Sequence, residues 1–279
     1  MFKNIIFCFI GYFTLTMAAQ SALPLVLTEG NKNPQKIILI TVEDKLKLLE
    51  YTKELQIQSQ IIVKDYFYLA QEIPFLSKKV TIELEDSGEK IEHILNILSL
   101  SLKNREIQNL LSYLNENNKE LNQLLKKQYS PENAEEILDI SASFDEAALQ
   151  ISVDLSKGIQ MKKNNKLTFL VLQQKLILQQ MSKFYIAYQA GFNDTVILEK
   201  LSMALTHFKI GLNTLASQKS FNLKEKKIIK KLTYYWMISK KYYKAMKKGE
   251  LSIMIFISTT HMVKYLDKLL VVEGGNLKR

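Results

Sequence analysis

Apolar residues recur at spacings of three and four along most of this chain, which is the period of helices that bury one face. In residues 42–71 the repeat includes Leu49, Ile57 and Ile61. This pattern, with start and stop signals, predicts eight helices, and a break at the sequence DSGEK in the second helix is left open. They span residues 42–71, 77–102, 105–128, 131–155, 165–190, 195–215, 222–248 and 250–272.

Capping residues define several of the predicted ends. Ser130 precedes Pro131 and a run of acids, which is the pattern of an N-cap, a first-turn proline and a dipole-matched first turn. Asp194 or Thr195 is expected to cap the sixth helix. Pro74 ends the first helix, because a residue before proline is disfavoured in the helical region. Glycine and proline are scarce, at nine and four residues, which favours long helices over tight turns.

The second half of the chain repeats the plan of the first. At an offset of 119 positions, the polar and aromatic residues of one helix fall on those of another: Gln60, Lys64 and Tyr66 on Gln179, Lys183 and Tyr185. Similar offsets relate three later helices in order, which favours tandem duplication. The predicted fold class is all-α, with two tandem antiparallel four-helix bundles after a signal peptide. The bundles occupy residues 42–157 and 158–272, and residues 273–279 form a frayed tail.

The N-terminus has the pattern of a secretory signal peptide over residues 1–21. Lys3 precedes an apolar run from Ile5 to Met17, and small residues follow. The run is shorter than the roughly 20 residues that span a bilayer, although an uncleaved anchor stays as the alternative. Cleavage would remove Cys8, the single cysteine, so the mature chain could form no disulfide. Residues 22–41 are predicted to form an extended lead-in. The predicted location of the protein is periplasmic or secreted, with no other transmembrane segment.

The stretches SQIIVKDYFYLA and LQQMSKFYIAYQA resemble the signature helix of the PilJ-type sensory domain, which is shared with NarX-like nitrate sensor kinases. The residues that match its Gln, Met, Ser and Lys positions are Gln60, Lys64, Gln179, Met181, Ser182 and Lys183. The resemblance implies a periplasmic four-helix bundle that receives a ligand or a protein contact, in two copies. Where nitrate-binding members carry arginine, this chain has Ile61 and Gln180. Neither offers a guanidinium fork, so nitrate sensing is not expected.

Five residues of these two helices are candidates for contact with a small polar ligand or a dimer partner: Gln60, Lys64, Gln179, Gln180 and Lys183. The alternative is that the amides bond across the bundle and set its register, because buried amides need partners. The neighbouring aromatic residues are expected to fill the core rather than line a cofactor site. They are Tyr66, Phe67, Tyr68, Phe184, Tyr185, Tyr188, Tyr234, Tyr235 and Trp236.

Charge divides the chain into two halves of opposite sign. Residues 22–157 hold 15 Lys and Arg against 22 Asp and Glu, whereas residues 158–279 hold 22 against 6. Much of the excess forms a predicted basic surface on one helix, including Lys227, Lys230, Lys231, Lys241, Lys244 and Lys248. A solvated helix face is one explanation. Docking to an anionic membrane surface or an acidic partner, or head-to-tail pairing with a second copy, are the others.

The sequence gives little support for a catalytic site or a metal site. His93, His207 and His261 lie far apart, with no cysteine or paired-histidine spacing beside them, so neither a metal site nor a cofactor is predicted. Nucleic acid is disfavoured by the export signal. We therefore expect a non-catalytic, exported, stand-alone sensory or adaptor module, which could form a homodimer and contact an envelope signalling protein. The alternative is a structural helical envelope protein that docks through its basic half.

Overall fold

Helices account for all the regular secondary structure in the residues that the computed structural model describes, which are 41–192, 194–246 and 251–276. The eight helices are α1 Val42–Ala70, α2 Pro74–Ser101, α3 Arg105–Leu124, α4 Pro131–Ser156, α5 Lys163–Gln189, α6 Thr195–Ala216, α7 Leu223–Lys244 and α8 Ser252–Asn276. The all-α prediction is confirmed. The predicted signal peptide and nearly all of the lead-in lie outside the described residues.

Local capping explains where several helices begin. The Thr41 hydroxyl accepts the backbone N–H of Asp44 at 3.1 Å, and the Asp44 carboxylate accepts the backbone N–H of Thr41 at 3.0 Å, which forms a capping box before α1. The predicted caps Ser130 and Asp194 both accept the N–H of the third helical residue, at 3.2 and 2.7 Å. These side chains satisfy backbone donors that have no partner within the helix.

Several boundaries differ from the sequence-based prediction, and α3, for example, ends at Leu124 rather than at residue 128. Helix α2 starts at Pro74 and continues through DSGEK without a break, because Val80 and Ile91 on either side bury the same face and Ser87 is itself buried. Helix α4 ends at Ser156, within one residue of its predicted end, and Gly158 after it adopts a φ of 79°, which a side-chain-bearing residue rarely takes. Helix α8 continues to Asn276, beyond the end predicted at residue 272.

The described residues from 41 onwards form one compact unit in which the helices of each half pack in a cyclic order. Helix α1 packs against α2 and α4, and α3 packs against the same two helices. In the second half α5 packs against α6 and α8, and α7 completes that order. Extensive contact between α1 and α5 joins the two sets. The contact between α1 and α5 is therefore the most extensive one between the two halves.

The core follows from this arrangement. Phe67 and Phe144 are fully buried in the first half, and Phe208 and Trp236 lie 4.9 Å apart between ring centroids in the second. Most of the aromatic residues predicted to be in the core are buried there. Tyr234 is an exception: it is 61% exposed, because it lies on the face of α7 that points away from the bundle.

Candidate functional site

Helices α1 and α5 each pack against three other helices. Their polar side chains as well as their apolar ones are therefore placed in the interior. Every residue from Leu55 to Tyr68 of α1 is buried, so even the polar positions there have very little access to solvent. The buried polar residues of the two helices include Gln56, Gln58, Ser59, Gln60, Lys64, Asp65, Gln174, Gln179, Ser182 and Lys183. Buried polar groups need partners, so the partners of these side chains define the candidate site.

Side chains from three helices meet in what we call the polar junction, which comprises Gln60 of α1, Ser141 and Asp145 of α4, and Gln180 and Lys183 of α5. The Gln60 amide donates to the Asp145 carboxylate at 2.8 Å and to the Ser141 hydroxyl at 3.2 Å. Lys183 donates to the same hydroxyl at 3.3 Å, and the Gln180 amide lies 3.4 Å from the Asp145 carboxylate. Three of the five sequence-predicted site residues thus converge on α4.

The rim of the polar junction is partly open to solvent. Asp145 and Gln180 are only partly buried, whereas Gln60, Ser141 and Lys183 are buried beneath them. Lys53, two helical turns before Gln60 on α1, donates to the side-chain oxygen of Gln56 at 2.7 Å. The amide of Gln56 donates in turn to the backbone carbonyl of Asp145 at 3.0 Å. A chain of hydrogen bonds therefore connects the rim to the buried floor.

The electrostatics of the polar junction are dominated by desolvation. Burial lowers the pKa of Lys183 to about 8, although the attraction of Asp145 opposes the shift. Burial also lowers the pKa of Lys53 to about 8, again against the attraction of Asp145. Burial also raises the pKa of Asp145, against the opposing attraction of Lys183, Lys53 and the exposed Lys200. One carboxylate therefore faces three lysines, and burial lowers the pKa of two of them, Lys53 and Lys183, towards neutral pH.

The other two predicted site residues lie outside the polar junction. Lys64 occupies the position equivalent to Lys183, but its amine lies 3.1 Å from Asp65 and 3.2 Å from Glu83 of α2. Burial alone would lower the pKa of Lys64, but attraction by these two carboxylates outweighs burial and raises it. Gln179 is buried, and its side-chain oxygen has no partner among the described residues. The two halves thus place equivalent lysines in different environments.

Sequence reasoning missed Ser141, Asp145 and Lys53. Ser141 and Asp145 are one helical turn apart on α4, beside the buried Phe144 and Ala148. The sequence does place a serine and an acid four residues apart next to an apolar stripe. This is only a weak indication of a site, because such residues are common on the flanks of helices. The contact with α5 that makes them part of a site depends on tertiary packing.

The predicted basic surface lies on the outer face of α7. Lys227, Lys230, Lys231, Lys241 and Lys244 are all exposed there, while Lys248 lies outside the described residues. A groove of about 440 Å³ lies elsewhere, between α3 and α4. Acidic side chains dominate its lining, namely Glu120, Glu132, Glu135, Glu136 and Asp139. The opposite charges of the two halves are therefore displayed on separate helices.

Two further properties concern the described residues only. They contain no group of three or more His, Cys, Asp or Glu side chains placed to hold a metal ion. Within them, no helix has the combination of length and hydropathy that a membrane crossing requires.

Comparison with known proteins adds no relative: no family model matches the chain, and no curated protein or solved structure is significantly similar to it. The resemblance to the PilJ-type sensory domain stays a prediction.

Proposed function

We propose that this chain is an exported, non-catalytic sensory or adaptor module, built of two tandem antiparallel four-helix bundles, that binds a small anionic ligand at the polar junction. The observation that carries the proposal is the surplus of positive charge around it: among the described residues, Asp145 is the one carboxylate that acts on the buried amines of Lys53 and Lys183, and Lys200 adds a third positive charge. The cyclic packing of α1 to α4 and of α5 to α8 supports the two-bundle description.

A small anion matches the chemistry of this cluster. Burying an uncompensated ammonium group costs several kcal/mol, on the order of the shifts that depress the lysine pKa values. A carboxylate or similar anion at the rim would offset that cost by pairing with Lys53 and Lys183. The Gln180 amide is placed to donate a further hydrogen bond. Since Lys53 is a rim residue and Lys183 a buried one, the ligand would enter from the partly exposed side.

Such a ligand would act on the contact between the two bundles. The polar junction joins α1 and α4 of the first half to α5 of the second, so an anion bound there would favour one packing of α5 against α1. A ligand shifts such an equilibrium only by its difference in affinity for the two arrangements. The buried charges are the source of that difference, because their electrostatic cost changes with packing.

The test is thermal unfolding of the purified chain with a panel of small anions: acetate, succinate, glutamate, phosphate and nitrate. Ligand at 100 times its Kd stabilises a protein by about 2.7 kcal/mol, which gives a clear rise in melting temperature. Lys183→Met should abolish the rise. The matched control is Lys175→Met on the same helix, since the Lys175 amine is 2.9 Å from Asp267 and outside the polar junction.

We expect one or more carboxylates to raise the melting temperature of the wild type and of the Lys175 variant, but not of the Lys183 variant. Two results would count against the proposal. One is a panel in which no anion stabilises the wild type. The other is an equal rise in all three proteins, which would indicate a general salt effect.

A further inference from the structure

The outward face of α7 carries a continuous row of exposed side chains. We call this row the α7 stripe; it comprises Leu223, Lys227, Lys230, Tyr234, Met237, Lys241 and Lys244. Their alternating spacing of four and three residues places them on one face of the helix. The opposite face of α7, with Ile228, Leu232 and Trp236, is buried in the bundle. The stripe is therefore the part of this helix that is available for contact.

Large apolar side chains interrupt the lysines of the stripe. Tyr234 is 61% exposed and Met237 is 63% exposed at its centre, and Leu223 is 79% exposed at its start. A helix face that serves only for solvation needs charges and gains nothing from these three side chains. Exposed apolar groups within a basic face are typical of helices that lie at a lipid interface.

The stripe lacks compensating negative charge. The only acid of α7 is Glu225, which is buried and accepts the backbone N–H of Asn222 at 2.6 Å as part of a capping box. Among the described residues, no carboxylate forms an ion pair with a lysine of α7. The positive charge of the stripe is therefore not neutralised by ion pairs within the described residues.

Helix α8 extends this surface with further aromatic side chains. Tyr235 of α7 stacks on His261 of α8, with 4.7 Å between ring centroids, and lies 5.7 Å from Tyr265. The amines of Lys231 and Lys268 lie 5.8 and 5.3 Å from the centre of the Tyr265 ring. Tyrosines and lysines side by side are favoured at the level of lipid headgroups, where an aromatic ring is partly buried and an ammonium group meets phosphate.

We infer that the α7 stripe docks on an anionic lipid bilayer, with its lysines on the phosphate groups and with Tyr234 and Met237 inserted at headgroup level. The 22-residue helix is about 33 Å long, so it can lie flat along the surface and engage all four stripe lysines at once. This contact uses no residue of the polar junction, so docking and anion binding are separate properties of the chain.

Co-sedimentation with vesicles tests the inference directly. The full chain is mixed with vesicles of equal parts phosphatidylglycerol and phosphatidylcholine, or of phosphatidylcholine alone, over a series of NaCl concentrations. The stripe variant replaces Lys227, Lys230, Lys241 and Lys244 with glutamine. The control replaces four exposed lysines of the first half with glutamine, and so removes the same net charge: Lys78, Lys103, Lys126 and Lys127.

We expect the wild type and the control to bind anionic vesicles and to dissociate as NaCl is raised, because exposed charges are screened by salt. Each stripe lysine should contribute about fivefold in partitioning, so the stripe variant, which lacks four of them, should bind roughly 600-fold more weakly. Tyr234→Ser with Met237→Ser should weaken binding about tenfold, most visibly at high salt. The neutral vesicles measure any adsorption by the apolar segment at residues 5–17, which all variants share.

Circular dichroism of each variant establishes that the helices are intact before binding is compared. Equal losses in the stripe variant and the control would overturn the inference, since net charge rather than the stripe would then govern adsorption. A wild type that ignores anionic vesicles but binds polyglutamate, with loss in the stripe variant alone, would overturn it in favour of an acidic protein partner.

Discussion

Replacing Lys183 by methionine should change how the stability of the protein depends on pH. Met has a similar length and no charge, so the substitution removes the buried amine without leaving a large cavity. The pKa of Lys183 is lowered to about 8 by burial, whereas an unfolded chain would hold the lysine proton up to about 10.5. Between these two values the unfolded state binds more protons than the folded state, so stability rises with pH.

The size of this effect follows from the shift. One pKa unit corresponds to about 1.4 kcal/mol, so the shift of Lys183 represents roughly 3 kcal/mol. That cost is present in full at pH 7, where the amine is charged in both states, and is relieved as the pH rises through 8 towards 10.5. Wild type should therefore gain stability over this range relative to Lys183→Met, by about 3 kcal/mol.

Urea unfolding at a series of pH values from 7 to 10.5 measures the difference. The single tryptophan, Trp236, is buried in the core and reports on unfolding through its fluorescence. The Lys175→Met variant is the control for removing a lysine from α5, since the Lys175 amine lies outside the polar junction and 2.9 Å from Asp267. Parallel profiles for wild type and Lys183→Met would refute the reasoning, because Lys183 would then titrate alike in both states.

Two further predictions concern stability at neutral pH. Asn222→Ala removes the side chain that accepts two backbone N–H groups at the start of α7, and should lower the free energy of unfolding by about 1 kcal/mol, as measured by urea titration. Gly211→Ala would normally stabilise a helix by up to about 1 kcal/mol. Here a methyl group would overlap the buried Gln174 amide of α5, so the substitution should destabilise the protein. In a Gln174→Ala background the sign should reverse, and a double-mutant cycle with additive effects would contradict this explanation.

Much of the helical architecture could be predicted from the sequence because its causes are local. The three- and four-residue spacing of leucine and isoleucine marked each helix, and side chains such as Ser130 and Asp194 marked two of the starts. The break considered at DSGEK did not occur, because burial of Val80 and Ile91 outweighs one glycine in a helix. The exposure of Tyr234 was also missed, since an aromatic residue is usually assigned to the core.

Only part of the candidate site could be predicted from the sequence, and the reason is physical. Periodicity shows that Gln60 and Lys183 lie on buried helices, but it does not show which neighbour each side chain faces. The two equivalent lysines illustrate this, because Lys64 forms ion pairs with Asp65 and Glu83, whereas Lys183 donates a hydrogen bond to Ser141. The duplicated motif by itself predicts the same environment for both.

The sequence alone determined the set of helices, the division of charge between the halves and the lysine-rich face of α7. The helices and the lysine-rich face depend on residues within a few turns of one another, and the division of charge depends on composition alone. What only the tertiary structure decided is the polar junction. Its residues come from α1, α4 and α5, and they meet because α5 packs against α1 in one register. That register is a balance of many non-local contacts, which no local pattern of residues records.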